Sequence, residues 1–206
     1  MSNSSVSLTV QSGQSGLTSL LQRAVGLDAS SYARLQQVGE AVNVFVTTPF
    51  DVIASRRVLG TSSSDGAVLR SADLLATGSG PAVPAGWPGA LPPAEGFELV
   101  DEIPVAVARQ LADQGQALAK QFSSSLGPPV SLLNQTVLTV TGNNTSVDIP
   151  MRMIFACTSL GFIPGMNAPE RIPRHLRVSQ SGRWTRIDAP FGSVYRSEGI
   201  GLLFPT

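Results

Sequence analysis

Between residues 77 and 97 the chain reads "TGSGPAVPAGWPGALPPAEGF", five glycines and five prolines in twenty-one positions. Proline removes a backbone donor and glycine loosens the chain, so this density predicts no helix or strand here. Regular structure must therefore come from either side, an N-terminal helix-plus-hairpin region over 1–76 and a C-terminal region over 98–206. Trp87 and Leu91 are unusual passengers for a free tether. They favour a long loop pinned at Trp87 over an interdomain linker.

Each flank carries its own periodicity. Residues 1–16 are polar, with no basic start or apolar block, and read as a frayed arm. Leu17, Leu20, Leu21 and Ala24 then fall on one helical stripe, with Ser15 available as cap. Val42, Val44 and Val46 alternate, and two or three strands are expected between Tyr32 and Gly60. Ser71 is placed to cap a short helix at "ADLLA". Beyond the loop, "FELVDEI" reads as a strand. A helix follows from Pro104, with Val107/Ala108, Leu111, Leu118/Ala119 and Phe122 at helical spacing. "TVLTVTGNNTSVDI" is a hairpin with a turn suited to positive φ. "PMRMIFACTSLGFI" is apolar nearly all round, which predicts a buried helix. These elements define an α+β fold with a mainly antiparallel sheet and about four helices.

Several chemistries lack their residues. No Gly-x-x-x-x-Gly-Lys loop, Gly-x-Gly-x-x-Gly after a strand or Gly-x-Ser-x-Gly elbow occurs. One His and one Cys fall short of a four-ligand structural zinc site. Cys157 with His175 is the single conceivable thiol–imidazole pair, and the apolar setting of Cys157 makes it a buried small hydrophobe instead. Asp101 and Glu102, adjacent in a strand, point to opposite sides. The lone cysteine permits no internal disulfide, which fits a reducing cytoplasm, and no apolar run reaches membrane-spanning length. Sequence leaves the cofactor, like the substrate, unspecified.

Charge is uneven along the chain. Residues 1–149 hold seven Lys and Arg against eleven Asp and Glu, a net of −4, while residues 150–206 hold seven arginines against three acids, a net of +4. Six of those arginines lie in "RIPRHLRVSQSGRWTRIDAPFGSVYR", residues 171–196. Read as a hairpin turning at Ser181-Gly182, this stretch sets Leu176 against Ile187 and Val178 against Thr185 on an apolar side. The other side sets His175 against Asp188, Arg177 against Arg186 and Ser179 against Trp184. Two directly opposed arginines repel by a few tenths to about 1 kcal/mol. A carboxylate from the acidic half, a partner's acid or a phosphate would relieve that repulsion, and Trp184 is placed to stack on a guanidinium.

The segments "VFVTTPFDVIASRRV", "PMRMIFACTSLGFIP" and "GRWTRIDAPFGSVYR" are similar to conserved-hypothetical proteins of actinobacteria. That resemblance spans most of the chain and implies no catalytic residue.

The reading is of a cytoplasmic, non-catalytic binding or assembly protein, whose anion- or partner-binding residues are Arg174, His175, Arg177, Arg183, Trp184 and Arg186. The expected partner is an acidic protein or a second copy, with the apolar tail "GIGLLFPT" adding area to bury. Two other classes compete. One is a winged-helix-like DNA regulator with hairpin 175–188 as wing and helix 150–162 approaching a groove, against which stand the zero net charge and the single cation, Arg152, of that helix. The other is an enzyme whose site is assembled in space from Arg, Ser, Thr and Asp side chains.

Overall fold

A computed structural model describes residues 5–122 and 128–198. The tail "GIGLLFPT" and the expectation that it docks lie outside these residues. The first half runs β1 (Ser5–Ser12), α1 (Gln14–Leu27), β2 (Tyr32–Val38), β3 (Ala41–Thr47), β4 (Ile53–Ser62), β5 (Val68–Arg70), α2 (Ser71–Thr77) and β6 (Ser79–Pro81). After a single 3-10 turn at Pro84–Gly86 come β7 (Glu98–Pro104), α3 (Val105–Phe122), α4 (Val130–Asn134), β8 (Thr136–Gly142) and β9 (Thr145–Pro150). The chain closes with α5 (Met151–Ser159), β10 (His175–Ser181), β11 (Trp184–Ala189) and β12 (Gly192–Ser197). The α+β class holds, with five α-helices among the described residues and antiparallel pairing throughout.

The N-terminal arm corrects the sequence reading. Val6 and Leu8 are buried at alternate positions of β1, which pairs with both β4 and β6. Serines between the apolar residues masked a period-2 pattern. In α1 the stripe Leu17, Leu20, Leu21 and Ala24 is the buried face, although Gly13 and not Ser15 occupies the N-cap. Arg70, not Ser71, precedes α2 as its N-cap. The most buried side chains of α3 are Val105, Ala108 and Ala112, the expected Val107, Leu111 and Ala119 pack partly buried beside them, and Leu118 is left 39% exposed.

Ten strands form one sheet in the order β5-β2-β3-β4-β12-β11-β10-β7, with β1 and β6 off this path. The branch occurs along one edge of β4. Ile53–Ser55 pair with Tyr195–Ser193 of β12, and Leu59–Ser62 pair with β1. Arg56, Arg57 and Val58 lie between, at a fork where neither neighbour is bonded. One sheet face is covered by helices and holds the main core, including Val44, Val46, Leu176, Val178, Ile187 and Val194 beside Ile154, Phe155 and Cys157 of α5. Strands β8 and β9 form a separate pair whose turn, Asn143-Asn144, has positive φ at both positions (51° and 60°), as a tight hairpin requires.

The other face is crossed by the Gly/Pro-rich segment. Trp87 is 8% exposed and packs with Phe45, Val68 and Tyr195; Val83, Leu91 and Phe97 join them. The segment is thus strapped to the sheet, and its start at Ser79–Pro81 pairs with β1.

The β10–β11 register differs from expectation by two residues. Arg177 pairs with Asp188, Val178 with Ile187 and Ser179 with Arg186, because the loop is Gly182-Arg183. Both favoured two-residue turns need positive φ at their first position. Gly182, at φ 53°, meets that demand without strain where Ser181 would not. A slip of two preserves facing, so Arg177 and Arg186 still share one side while Leu176 and Ile187, both 0% exposed, share the other.

Candidate functional site

Register assigns every charged strand residue of the large sheet to a face, since paired residues share a side and successive residues alternate. The strap-side face carries Arg34, Arg57, Arg70, Arg177 and Arg186, linked through the pairs Arg34–Val68, Tyr32–Arg70, Asn43–Arg57, Arg177–Asp188 and Arg186–Tyr195. Its carboxylates are Asp188 and Glu102, the latter opposite Arg177. Five guanidiniums thus stand against two acids.

The hairpin arginines are neutralised locally. Arg177 sits between Glu102 and Asp188 as cross-strand neighbours, so the expected Arg177–Arg186 opposition does not arise. Arg186 Nε lies 2.8 Å from Asp188 Oδ2, angled as an ion pair and not as a hydrogen bond. Its guanidinium rests over Phe97 at 4.3 Å, taking the stacking role expected of Trp184. Trp184 instead packs beside the Phe45–Trp87–Tyr195 cluster. His175 Nε2 is 3.5 Å from Glu102 Oε1. Arg183 occupies the exposed turn. Arg174 lies outside the strand and donates to the carbonyls of Gly165 (3.1 Å) and Ala168 (2.6 Å), fastening the preceding loop. Of the six residues singled out by sequence, His175, Arg177 and Arg186 are brought together around Glu102 and Asp188, and Arg174, Arg183 and Trp184 are not.

A concavity on this face opens at the fork. A cavity of about 380 Å³ is lined by Asn43, Ser55, Arg57, Arg186, Ser193 and Tyr195, among others, with Ala94 of the strap at its rim. Arg56 borders it from the helix side, donating to the carbonyl of Phe191 at 2.7 Å and so spanning the gap between β4 and β12. Burial pushes its pKa down. Gly16 of α1 admits that guanidinium, since a Cβ there would lie 2.1 Å from it. Ser55 Oγ donates to Tyr195 Oη at 3.3 Å, and Ser193 Oγ to Asp188 Oδ1 at 2.5 Å. Burial raises the Tyr195 pKa, so the phenol stays a neutral donor.

Cys157 and His175 are not brought together as a thiol–imidazole pair. Cys157 is 0% exposed in α5, and burial, with Asp188 adding, pushes its thiol up to about 12. His175 belongs to the opposite sheet face. The wing expectation also falls, because β10 and β11 are interior strands and residues 151–157 of α5, Arg152 included, are buried. Among the described residues no group of three or more His, Cys, Asp or Glu is placed to hold a metal. No described helix is long and apolar enough to cross a membrane.

Residues 92–201, more than half of the 206, match the domain of unknown function DUF8185. The chain belongs to the DUF8185 family. Its residues 1–91 match a second domain of unknown function, DUF8010. No curated protein matches. Among solved structures, this DUF8185 protein is similar to the beta sliding clamp of C. crescentus, at 11% identity and TM-score 0.56 over 94% of this chain and 65% of the clamp. The DNA polymerase sliding clamp of Pseudomonas aeruginosa gives 12% identity and TM-score 0.54 over 95% and 65%. That of Bacillus subtilis gives 12% and 0.54 over 94% and 64%. The DUF8185 chain therefore has a sliding-clamp-like fold and spans about 65% of the clamps' length.

Arg34, Arg57 and Arg70 escaped sequence reasoning because they lie in the half whose net charge is −4. Their common signal, an arginine at an outward-facing position of an alternating strand, becomes legible once the inward residues of each strand are known.

Proposed function

We propose that this chain is a non-catalytic binding and assembly protein that receives an acidic protein partner, or the acidic surface of a second copy, on the strap-side face of its sheet. The observation carrying this reading is the excess of five arginines over two carboxylates on that face. Guanidiniums spread along one face of a rigid sheet recognise carboxylates of an extended acidic surface with little ordering cost.

The test is charge reversal at the three exposed positions, Arg57→Glu, Arg70→Glu and Arg177→Glu together. Sedimentation velocity across a salt series reads self-association, and titration with a labelled hexaglutamate peptide reads acidic recognition. The wild type should bind or self-associate, and the contact should weaken as the Debye length falls from about 10 Å at 0.1 M salt to about 3 Å at 1 M. The triple variant should lose it. A DNA-contacting role draws its support from the likeness of the fold to DNA polymerase sliding clamps. Tight duplex binding by a monomer with a steep salt slope would replace the acidic-partner reading with that one.

A further inference from the structure

We propose that the cavity at the β4 fork is a binding site for a phosphate-bearing ligand; the inference rests on the reading of this face as a contact surface and assigns it a chemical focus. The lining is dominated by donors. Arg57 and Arg186 present guanidiniums, Asn43 an amide with one N–H engaged by Gln36 Oε1, and Tyr195 a hydroxyl, while the Ser55 and Ser193 hydroxyls already donate to Tyr195 and Asp188. Asp188 is the single carboxylate, and it is already engaged by Arg186 Nε at 2.8 Å and Ser193 Oγ at 2.5 Å. With Arg56 behind, the titratable charges facing the cavity are three cations and one anion. A carboxylate offers two oxygens to such a set, whereas a phosphate monoester offers three with nearly twice the charge.

The site is also pre-shaped. Contact with Phe97 and Asp188 fixes Arg186, and because the ion pair uses Nε, the two terminal nitrogens remain for a ligand. Arg56 is locked to the Phe191 carbonyl, so the gap between the strands is held open by a cation. Rotamer freedom surrendered during folding is not surrendered again on binding. A volume of about 380 Å³ lies at the small end of ligand sites, room for a phosphoryl group and a compact body.

The experiment titrates inorganic phosphate into the full chain by calorimetry at constant ionic strength, with chloride as control. Saturation with a Kd of about 1 mM or tighter is expected. Arg57→Gln, at an exposed position that should not disturb folding, should weaken it at least about tenfold. Arg70→Gln, on the same face but away from the fork, should leave it within about twofold. Circular dichroism melts establish that each variant is folded. A non-saturating response matched by chloride, or equal affinity in wild type and Arg57→Gln, overturns the site. O-phosphoserine and a hexose phosphate identify the source: tighter binding of the first assigns the phosphate to a partner's side chain, tighter binding of the second to a small metabolite, and either supports the site. Hexaglutamate binding without phosphate binding refutes the cavity alone; phosphate binding without hexaglutamate binding refutes the acidic-partner face alone.

Discussion

Replacing Arg152 with methionine isolates the one buried guanidinium of α5. Its Nη1 donates to the carbonyl of Phe50 at 2.8 Å and lies 3.1 Å from Asp51 Oδ2, while Nη2 donates to Asn134 Oδ1. The side chain is 9% exposed and that of Asp51 is 82% exposed, so the two halves of the ion pair stand in different dielectrics. Methionine retains most of the apolar stem. What disappears is the donor set tying the β3–β4 loop and α4 to α5. Two acceptors lose a buried partner, at about 1–3 kcal/mol each, with the low end favoured where water reaches them. Asp51 regains solvent and contributes less than about 1 kcal/mol. The sum is about 3 kcal/mol, which for a chain of this size lowers Tm by about 6–12 °C. Thermal melts and urea titrations with an unchanged m-value should report it. Asp51→Asn should cost under about 1 kcal/mol. If Arg152→Met matched or exceeded wild-type stability, the cation would be a burden whose desolvation outweighs its bonds, and the assignment of Arg152 as the loop's anchor would be refuted.

Cys157 should resist thiol reagents at pH 8 until the chain is unfolded, because its folded pKa is about 12; rapid stoichiometric labelling of native protein would contradict this. The raised pKa means that only the unfolded state releases the proton as pH climbs above the ordinary thiol range. Stability should therefore fall between about pH 9 and 12, by at most about 1.4 kcal/mol per pH unit from this group. Urea midpoints from pH 8 to 10.5 should decline less steeply in Cys157→Ala, while the raised pKa of Tyr195 adds a slope of the same sign in both proteins. Trp87→Ala should remove the strap's pin at a cost of about 3–5 kcal/mol, read by chemical denaturation and by new proteolytic cleavage within residues 77–97. Unchanged stability and protection would show that Phe97 and Leu91 hold the strap by themselves.

What sequence alone determined was local. Leu17, Leu20, Leu21 and Ala24 specified a helix face, Val42, Val44 and Val46 a strand face, and "GNN" a turn, because side-chain periodicity and φ preference are properties of a few consecutive residues. Trp87 was legible as an anchor, since a large apolar ring in a Gly/Pro-rich loop has to be buried. The sharing of one side by Arg177 and Arg186 was legible too, as it survives any even slip of register. The slip itself turned on whether Ser181 or Gly182 took the positive φ.

Tertiary structure alone decided where charge accumulates. Counting along the chain divided it into an acidic and a basic half, yet the sheet interleaves strands of both halves and sorts side chains by face. Arg34, Arg57 and Arg70 of the acidic half thereby join Arg177 and Arg186. Pairing also decided that Glu102 and Asp188 flank Arg177 and that Asp188 meets Arg186, leaving Arg57 at the β4 fork and Arg34 and Arg70 on the β2–β5 edge without a carboxylate beside them. Such a fork arises because β1 and β12, more than 180 residues apart, share one edge of the same strand. No window of sequence spans that contact, so the cavity between them exists only in the folded chain.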